Sequence, residues 1–270
     1  MVDQFTAQSA STAMPRDDCA GFYLSIVIPA YNEARRLPRT LEAWSTFLAA
    51  QRYRSEVVVA DDGSRDTTAE VVRAFSQRQA GQHAGPSAML RLVALGVNQG
   101  KGGAVKAGML TATGAYRFYV DADLNVSQEH VPAALRHLES GAGVVAGQRS
   151  LAEYAGHERS VGRLVAGALV QAARRAIVLP VVRDTQCGFK GFRGPVAQAV
   201  FERTLIRSFA FDVEVLFLAR QLGATIVELP VVTEYRAEST YILRKHLLPL
   251  LRDIVRIRLN HRQGRYALPD

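Results

Sequence analysis

Phe118-Tyr119-Val120-Asp121-Ala122-Asp123-Leu124-Asn125 is the stretch that decides the fold. Its apolar, aromatic half reads as a buried strand. It ends abruptly in two carboxylates and an amide. Residues i and i+2 of an extended segment point to the same side, so Asp121, Asp123 and Asn125 can aim at one point. Such a set suits a hard cation, Mg²⁺ or Mn²⁺, which shares its remaining positions with water and phosphate oxygens. The alternative is a strand-ending turn with solvated acids, since turns favour Asp.

Toward the N-terminus the pattern predicts strands over 24–29, 56–60, 90–95 and 116–121. Helices are expected between them over 37–50, from a cap at Ser64 or Asp66 to 78, and over 104–111, with a polar loop over 77–87. Strand and helix alternating at similar length is the signature of a parallel sheet with right-handed crossovers. The valine run at 56–60 fits a strand covered on both faces. Parallel sheets bind ligands beyond the carboxyl ends of their strands. Polar clusters follow Pro29, Ala60 and Val120, so one crevice is expected to collect them.

The second half is less regular. Helices are expected over 131–140, 162–179, 211–222 and 241–260, the last interrupted near Pro249. Strands are expected over 144–146, ending at Gly147-Gln148-Arg149, and over 225–232, with a compact polar loop over 183–190. The fold class is α/β: a mostly parallel central sheet flanked by helices.

Composition narrows the partners. A net charge of +8 calls for an acidic partner: nucleic acid, anionic lipid or a phosphorylated substrate. Cys19 and Cys187 are the only cysteines, so no disulfide framework is expected. The histidines show no zinc-like spacing. Residues 1–22 are polar and are expected to be a disordered leader, not a signal peptide. No uninterrupted apolar run reaches the ~18 residues of a membrane span. The C-terminal segment 236–270 interleaves Arg244, Lys245, Arg252, Arg256, Arg258, Arg262 and Arg265 with Ile242, Leu243, Leu247, Leu248, Leu251, Ile254, Val255 and Leu259. That aliphatic character argues against nucleic acid and for an anionic membrane surface. A core-packing helix with a solvated face is the alternative.

The segments SIVIPAYNE (25–33), DDGSRDTT (61–68), NQGKGGA (98–104) and Asp121-Ala122-Asp123 resemble, in this order, the nucleotide-sugar domain of family 2 inverting glycosyltransferases of GT-A (Rossmann-like) fold. RDTQCGFK (183–190) followed by FDVE (211–214) is similar to dolichyl-phosphate β-glucosyltransferases and other polyprenyl-phosphate glycosyltransferases. Leu124-Asn125 looks more like the related mannosyltransferases. The resemblance implies a GT-A domain over 23–235, with a nucleotide-sugar half (23–125) and an acceptor half (126–235), and a C-terminal acceptor-side helical extension.

It further implies that Pro29, Ala30, Tyr31, Glu33, Asp61 and Asp62 line the base and ribose pocket. Tyr31 offers a stacking face and Glu33 an acceptor, while one of Asp61 and Asp62 could instead cap a helix. Lys101 and the amides of its glycine loop would face a diphosphate at a helix N-terminus, unless the glycines serve close packing alone. Asp121 and Asp123, with Asn125 as a third ligand, would hold Mg²⁺ or Mn²⁺. Asp184 is the expected base or acceptor-positioning carboxylate, beside Asp123 at the catalytic centre. Arg149 on the donor side, and Arg163, Arg183, Lys190 and Arg236 on the acceptor side, are the expected phosphate clamps, since guanidinium forks suit phosphate. Asp212 and Glu214 are open between helix capping and support of the acceptor loop. The expected reaction moves a sugar, glucose from UDP-glucose, to a polyprenyl or dolichyl phosphate with inversion, at the cytoplasmic face of the cell membrane. A GDP-mannose donor, or a hydroxyl acceptor in solution, is the alternative.

Overall fold

Extended valine- and isoleucine-rich runs pair where the sequence expects them. The computed structural model describes residues 21–80, 88–149, 182–233 and 243–267. Its strands are β1 (Leu24–Ala30), β2 (Ser55–Asp61), β3 (Met89–Ala94), β4 (Tyr116–Val120), β5 (Val144–Arg149), β6 (Phe189–Arg193) and β7 (Ile226–Val231). Among the described residues they form one sheet in the order β3-β2-β1-β4-β6-β5-β7. The helices are α1 (Leu37–Ala49), α2 (Thr68–Ala80), α3 (Lys101–Thr111), α4 (Val131–Glu139), α5 (Gly194–Arg203), α6 (Phe211–Gln221) and α7 (Leu243–Arg262).

Strands β1 to β4 pair in parallel, as do β5 and β7, while β6 runs antiparallel between β4 and β5. The carboxyl ends of β1, β2, β4 and β5 therefore share one edge, and β6 begins at that edge opposite Val120. Side chains alternate across the sheet. Ile26, Val57 and Phe118 pack with Leu41, Trp44 and Leu135 on one face. Val27, Val58 and Tyr119 pack with Met109, Phe192, Phe211 and Phe217 on the other.

Several boundaries differ from expectation for physical reasons. β1 continues through Pro29 to Ala30, because pairing with β4 ends at Val27 and leaves that side without a donor to supply. α3 begins at Lys101, not Ala104. Asp66 caps α2 by accepting from the Thr68 amide (3.0 Å), whereas Ser64 is engaged elsewhere. The polar loop ends early, since Phe189 and Lys190 already belong to β6. Gly191 makes that strand possible: a Cβ there would lie 2.4 Å from the Phe118 ring. α5 has no counterpart in the sequence reading. α7 runs through Pro249 without interruption. The proline forfeits one intrahelical donor, but Leu250, Ile254 and Ile257 bury against the core shared with α6 and offset that loss. The expected helix over 162–179, and residues 1–20, 163 and 236, lie outside the described residues.

The opposite edge of the sheet is fastened by Glu56, which is fully buried. It accepts from Ser25 Oγ (2.7 Å), Arg91 Nη1 (2.9 Å) and the Thr113 amide (2.7 Å), tying β1, β3 and the turn after α3 to β2. Burial alone would raise its pKa, but these hydrogen bonds prevail and hold it below the ordinary carboxylate value. A depressed carboxylate contributes stability that is fully present above its unfolded pKa of about 4.3 and is lost as pH falls through the lower folded value. Glu56→Gln is expected to be less stable than the wild type at pH 7. The gap should narrow as pH falls from about 4.5 toward 2, read by urea denaturation at stepped pH.

Candidate active site

The loops at the shared edge are stitched to one another. After β1, the amides of Asn32, Glu33 and Ala34 donate to Ser64 Oγ (2.9 Å), Thr68 Oγ1 (2.9 Å) and Asp66 Oδ2 (3.2 Å). In return Asn32 Oδ1 accepts from the Arg65 amide (2.8 Å). The left-handed φ of 54° at Asn32 turns the chain sharply enough for this exchange. Tyr31 is left 41% exposed at the rim, with its ring available for stacking. Asp61 is buried and accepts from the Ser64 amide (3.0 Å).

Two expected pocket residues are otherwise occupied. Glu33 forms a two-pronged pair with Arg36 (2.7 and 2.6 Å). Asp62 accepts from the Gln99 amide (2.6 Å) and the Gly100 amide (2.9 Å), one per oxygen. It anchors the glycine loop. Burial raises its pKa, which those two amides only partly offset.

The glycines of that loop serve close packing. A Cβ on Gly100 or Gly102 would lie 2.5 Å from the carbonyl oxygen of Arg207 or Ile206 respectively. The Gly102 amide donates to Arg207 O (2.9 Å). The residues facing the loop are themselves fixed from below: buried Glu214 accepts from the Leu205 and Ile206 amides (3.1 and 2.9 Å) and from Tyr266 Oη (2.8 Å). With the loop so held, Lys101 reaches Asp121, Nζ to Oδ1, at 2.5 Å.

Asp121 and Asp123 flank Ala122, whose carbonyl accepts from Thr40 Oγ1. Leu124 takes a left-handed φ of 57°, which folds Asn125 back so that its amide N–H (3.2 Å) and its side chain both donate to Asp123. Burial raises the pKa of Asp121, but Lys101 first, then Lys190 and Arg149, hold it below the usual range. Burial and then the charge of Asp121 push Asp123 upward.

This pair has the character of a cation site. Among the described residues no group of three or more His, Cys, Asp and Glu gathers to enclose a metal. Two repelling carboxylates would leave most coordination positions to water and phosphate, as Mg²⁺ prefers. Asn125 Oδ1 is buried without a hydrogen-bond partner and is a fitting third oxygen. Asn125 also lines, with Asp121, Trp44, Arg149, Gln186 and Gly188, a cavity of about 60 Å³. The donor set therefore fits Mg²⁺ or Mn²⁺.

Across that cavity Arg149, at the end of β5, grips Asp184 through Nε (2.7 Å) and Nη2 (3.0 Å). The Gln186 amide also donates to Asp184 (3.0 Å). Burial raises the Asp184 pKa, but Arg149 outweighs it and holds the carboxyl below the usual range. A carboxylate so engaged is a weak base and a rigid support. Arg183 is exposed, its amide donating to Glu228 Oε1 (2.7 Å).

Lys190 does not face an acceptor phosphate. It is fully buried and donates to Asp212 Oδ1 (2.6 Å) and Cys187 O (2.6 Å). Tyr119 Oη donates to the same Asp212 oxygen (2.6 Å). In β6 alternate residues face alternate sides, and the register opposite Tyr119 sends Lys190 into the core beneath the site. Asp212 is thus a buried counter-ion and Glu214 a backbone support. The neighbouring Cys187 thiol is buried, which pushes its pKa up to about 11 and leaves it inert.

Sequence reading missed two contributors. Glu228, a carboxylate in the otherwise apolar β7, holds the 183–184 backbone (2.7 and 3.1 Å), and its charge within a strand was the available signal. Gly188 gives room to Asp121: a Cβ there would lie 1.9 Å from Asp121 Oδ2. Its own carbonyl accepts from the Asp121 amide (3.2 Å).

Comparison with known proteins gives concordant results. The family described as "Glycosyl transferase family 2" matches residues 25–201. Dolichyl-phosphate beta-glucosyltransferase of Dictyostelium discoideum is 34% identical over 90% of this chain and 76% of that protein. The Homo sapiens protein of the same name is 29% identical over 91% of this chain and 78% of its own length. Among solved structures, glucosyl-3-phosphoglycerate synthase of Mycobacterium tuberculosis, in complex with Mn²⁺, UDP and phosphoglyceric acid, superposes with a TM-score of 0.63. It is 21% identical and the match covers 93% of this chain and 81% of that one. Likeness at that identity shows the fold, which is GT-A.

The Gly188 contact is directly testable. Gly188→Ala forces the Asp121 carboxylate aside, and a displacement of about 1 Å can cost 10²-fold in a site of this kind. The variant is expected to keep its far-UV circular dichroism and to lose at least about tenfold in Mn²⁺ affinity in the presence of UDP, measured by calorimetry.

Proposed function

The chain belongs to glycosyl transferase family 2, and from that premise we propose that it moves glucose from UDP-glucose to a polyprenyl or dolichyl phosphate, with inversion. The observation that carries the reading is the meeting of Asp121, Asp123 and Lys101 at the edge of the sheet where the nucleotide-side loops converge. The names of the relatives supply the transferred sugar and the acceptor class.

On this reading Tyr31 stacks on the base and Asp61 supports its pocket. Lys101, at the start of α3, receives the diphosphate with its ammonium. A divalent ion bound at Asp121 and Asp123 supplies charge neutralisation for the departing diphosphate. An oxygen of the acceptor phosphate attacks the anomeric carbon from the face opposite UDP. The new C–O bond forms as the bond to UDP breaks, and the product is β-linked. A phosphate monoester has a second pKa of about 6 and is largely dianionic at pH 7. Such a nucleophile needs no proton removed. The low pKa of Asp184 and its grip on Arg149 fit a positioning role better than that of a general base. Of the expected phosphate clamps among the described residues, Arg149 lies on the wall of the same cavity with its guanidinium shared with Asp184, and Arg183 is exposed.

A lipid acceptor requires a membrane surface. No helix among the described residues is long and apolar enough to cross a bilayer. α7 buries Leu250, Ile254 and Ile257 inward, and turns Arg252, Val255, Arg256, Leu259 and Arg262 outward. Two aliphatic side chains between three cations suit an anionic leaflet, where each basic group contributes about 1 kcal/mol. The enzyme would then act as a peripheral protein at the cytoplasmic face.

Three experiments test this. Asp123→Ala should lower glucose transfer from UDP-glucose to a short polyprenyl phosphate by at least about 10²-fold, the cost of removing a charge-stabilising group. Unchanged turnover would refute the metal assignment. A parallel thermal-shift screen should show UDP with Mn²⁺ raising Tm more than GDP with Mn²⁺. The triple variant Arg252→Glu, Arg256→Glu, Arg262→Glu should lower partitioning onto phosphatidylserine-containing liposomes by about 10²-fold or more. The wild type should be released from the same liposomes as salt is raised.

A further inference from the structure

Asp121 is paired with a cation of the chain itself. The ammonium of Lys101 lies 2.5 Å from its Oδ1. Lys101 occupies the first position of α3, and its backbone has little freedom. Asp62 fixes the two residues before it and Arg207 O fixes the amide after it. Only the four-carbon side chain can move. Its ammonium also lies 5.8 Å from the Phe209 ring centroid, toward the 205–210 segment. The other cations acting on Asp121, Lys190 and Arg149, are each committed to another carboxylate, Asp212 and Asp184. Lys101 alone among these three is tethered to Asp121 itself.

A divalent ion approaching Asp121 meets an ammonium already seated on one of its two oxygens. We infer that Lys101 is a placeholder cation: it occupies Asp121 in the free enzyme and releases it when a nucleoside diphosphate offers the ammonium a new partner. Metal and diphosphate therefore bind as a unit, with the metal weakly held alone. The inference rests on the metal-and-nucleotide reading above and adds an order to it. Coupling of this kind is reciprocal, so the diphosphate must tighten the metal by the same factor as the metal tightens the diphosphate.

The test is calorimetric titration of Mn²⁺ into the full chain, with and without UDP. In the wild type UDP should tighten Mn²⁺ about tenfold or more, within the usual span of binding couplings. Lys101→Met should bind Mn²⁺ about tenfold more tightly than the wild type when UDP is absent, and should show a smaller gain when UDP is added. Lys101→Arg, which keeps the charge, should retain the weak affinity of the free wild type. Lys101→Gln is judged by the criterion for Lys101→Met if the latter does not fold, with thermal melting as the check. Unchanged or weakened Mn²⁺ affinity in the folded neutral variant overturns the inference, as does an Arg variant that behaves like the Met one. In those cases a wild type that binds Mn²⁺ with UDP leaves the parent reading standing. A wild type that binds no Mn²⁺ even with UDP overturns both.

Discussion

Two carboxylates at the end of a buried strand repel each other, and much of this molecule is arranged around that repulsion. Asp121 and Asp123 are half-buried; burial would raise the pKa of Asp121 but Lys101 holds it down, while burial and then the charge of Asp121 push that of Asp123 up. The protein answers with cations, each placed by a different element. Lys101 comes from the start of α3, Arg149 from the end of β5 and Lys190 from β6. Two of them carry their own counter-ions, Asp184 and Asp212. The site is thus a small array of alternating charge, in which a metal ion and a diphosphate can enter as one further pair.

Holding such an array requires stiff surroundings. The glycine loop cannot shift because Asp62 binds its amides on one side and the Ile206-Arg207 backbone presses on the other. That backbone is bound in turn by Glu214, which also accepts from Tyr266, just beyond α7. A contiguous set of contacts therefore joins the helix proposed to meet the membrane to the loop proposed to meet the diphosphate. On the opposite side Glu228 and Arg149 fix the segment that carries Asp184. A buried cation or carboxylate left unpaired is costly, so each of these groups constrains its partner's position as well as its charge.

The chemistry proposed here asks little of a base and much of placement. A dianionic phosphate is already a nucleophile, and what it needs is alignment with the anomeric carbon and a leaving group that departs without penalty. An Asp184 held by a two-pronged guanidinium is suited to alignment. The exposed face of α7 would keep the acceptor's lipid tail and the active site on one side of a bilayer surface.

Local sequence determined the parallel half of the sheet, its crevice edge and the Asp121–Asp123 pair. Hydrophobic period and strand-ending carboxylates are properties of neighbouring residues, and a period of two fixes which of them share a face. The assignment of individual charges was not legible in the same way. Lys190 reads as a surface cation until β6 is seen to pair with β4, and its partner Asp212 lies 22 residues further on. Glu33 reads as a lone carboxylate until Arg36 is seen to pair with it, and Asp62 until it is seen to hold the glycine loop. Gly188 carries no chemistry in the sequence and becomes essential only where Asp121 packs against it. Whether a charged group serves a ligand or the fold depends on burial and on a partner distant in the chain, and only the tertiary structure decides both.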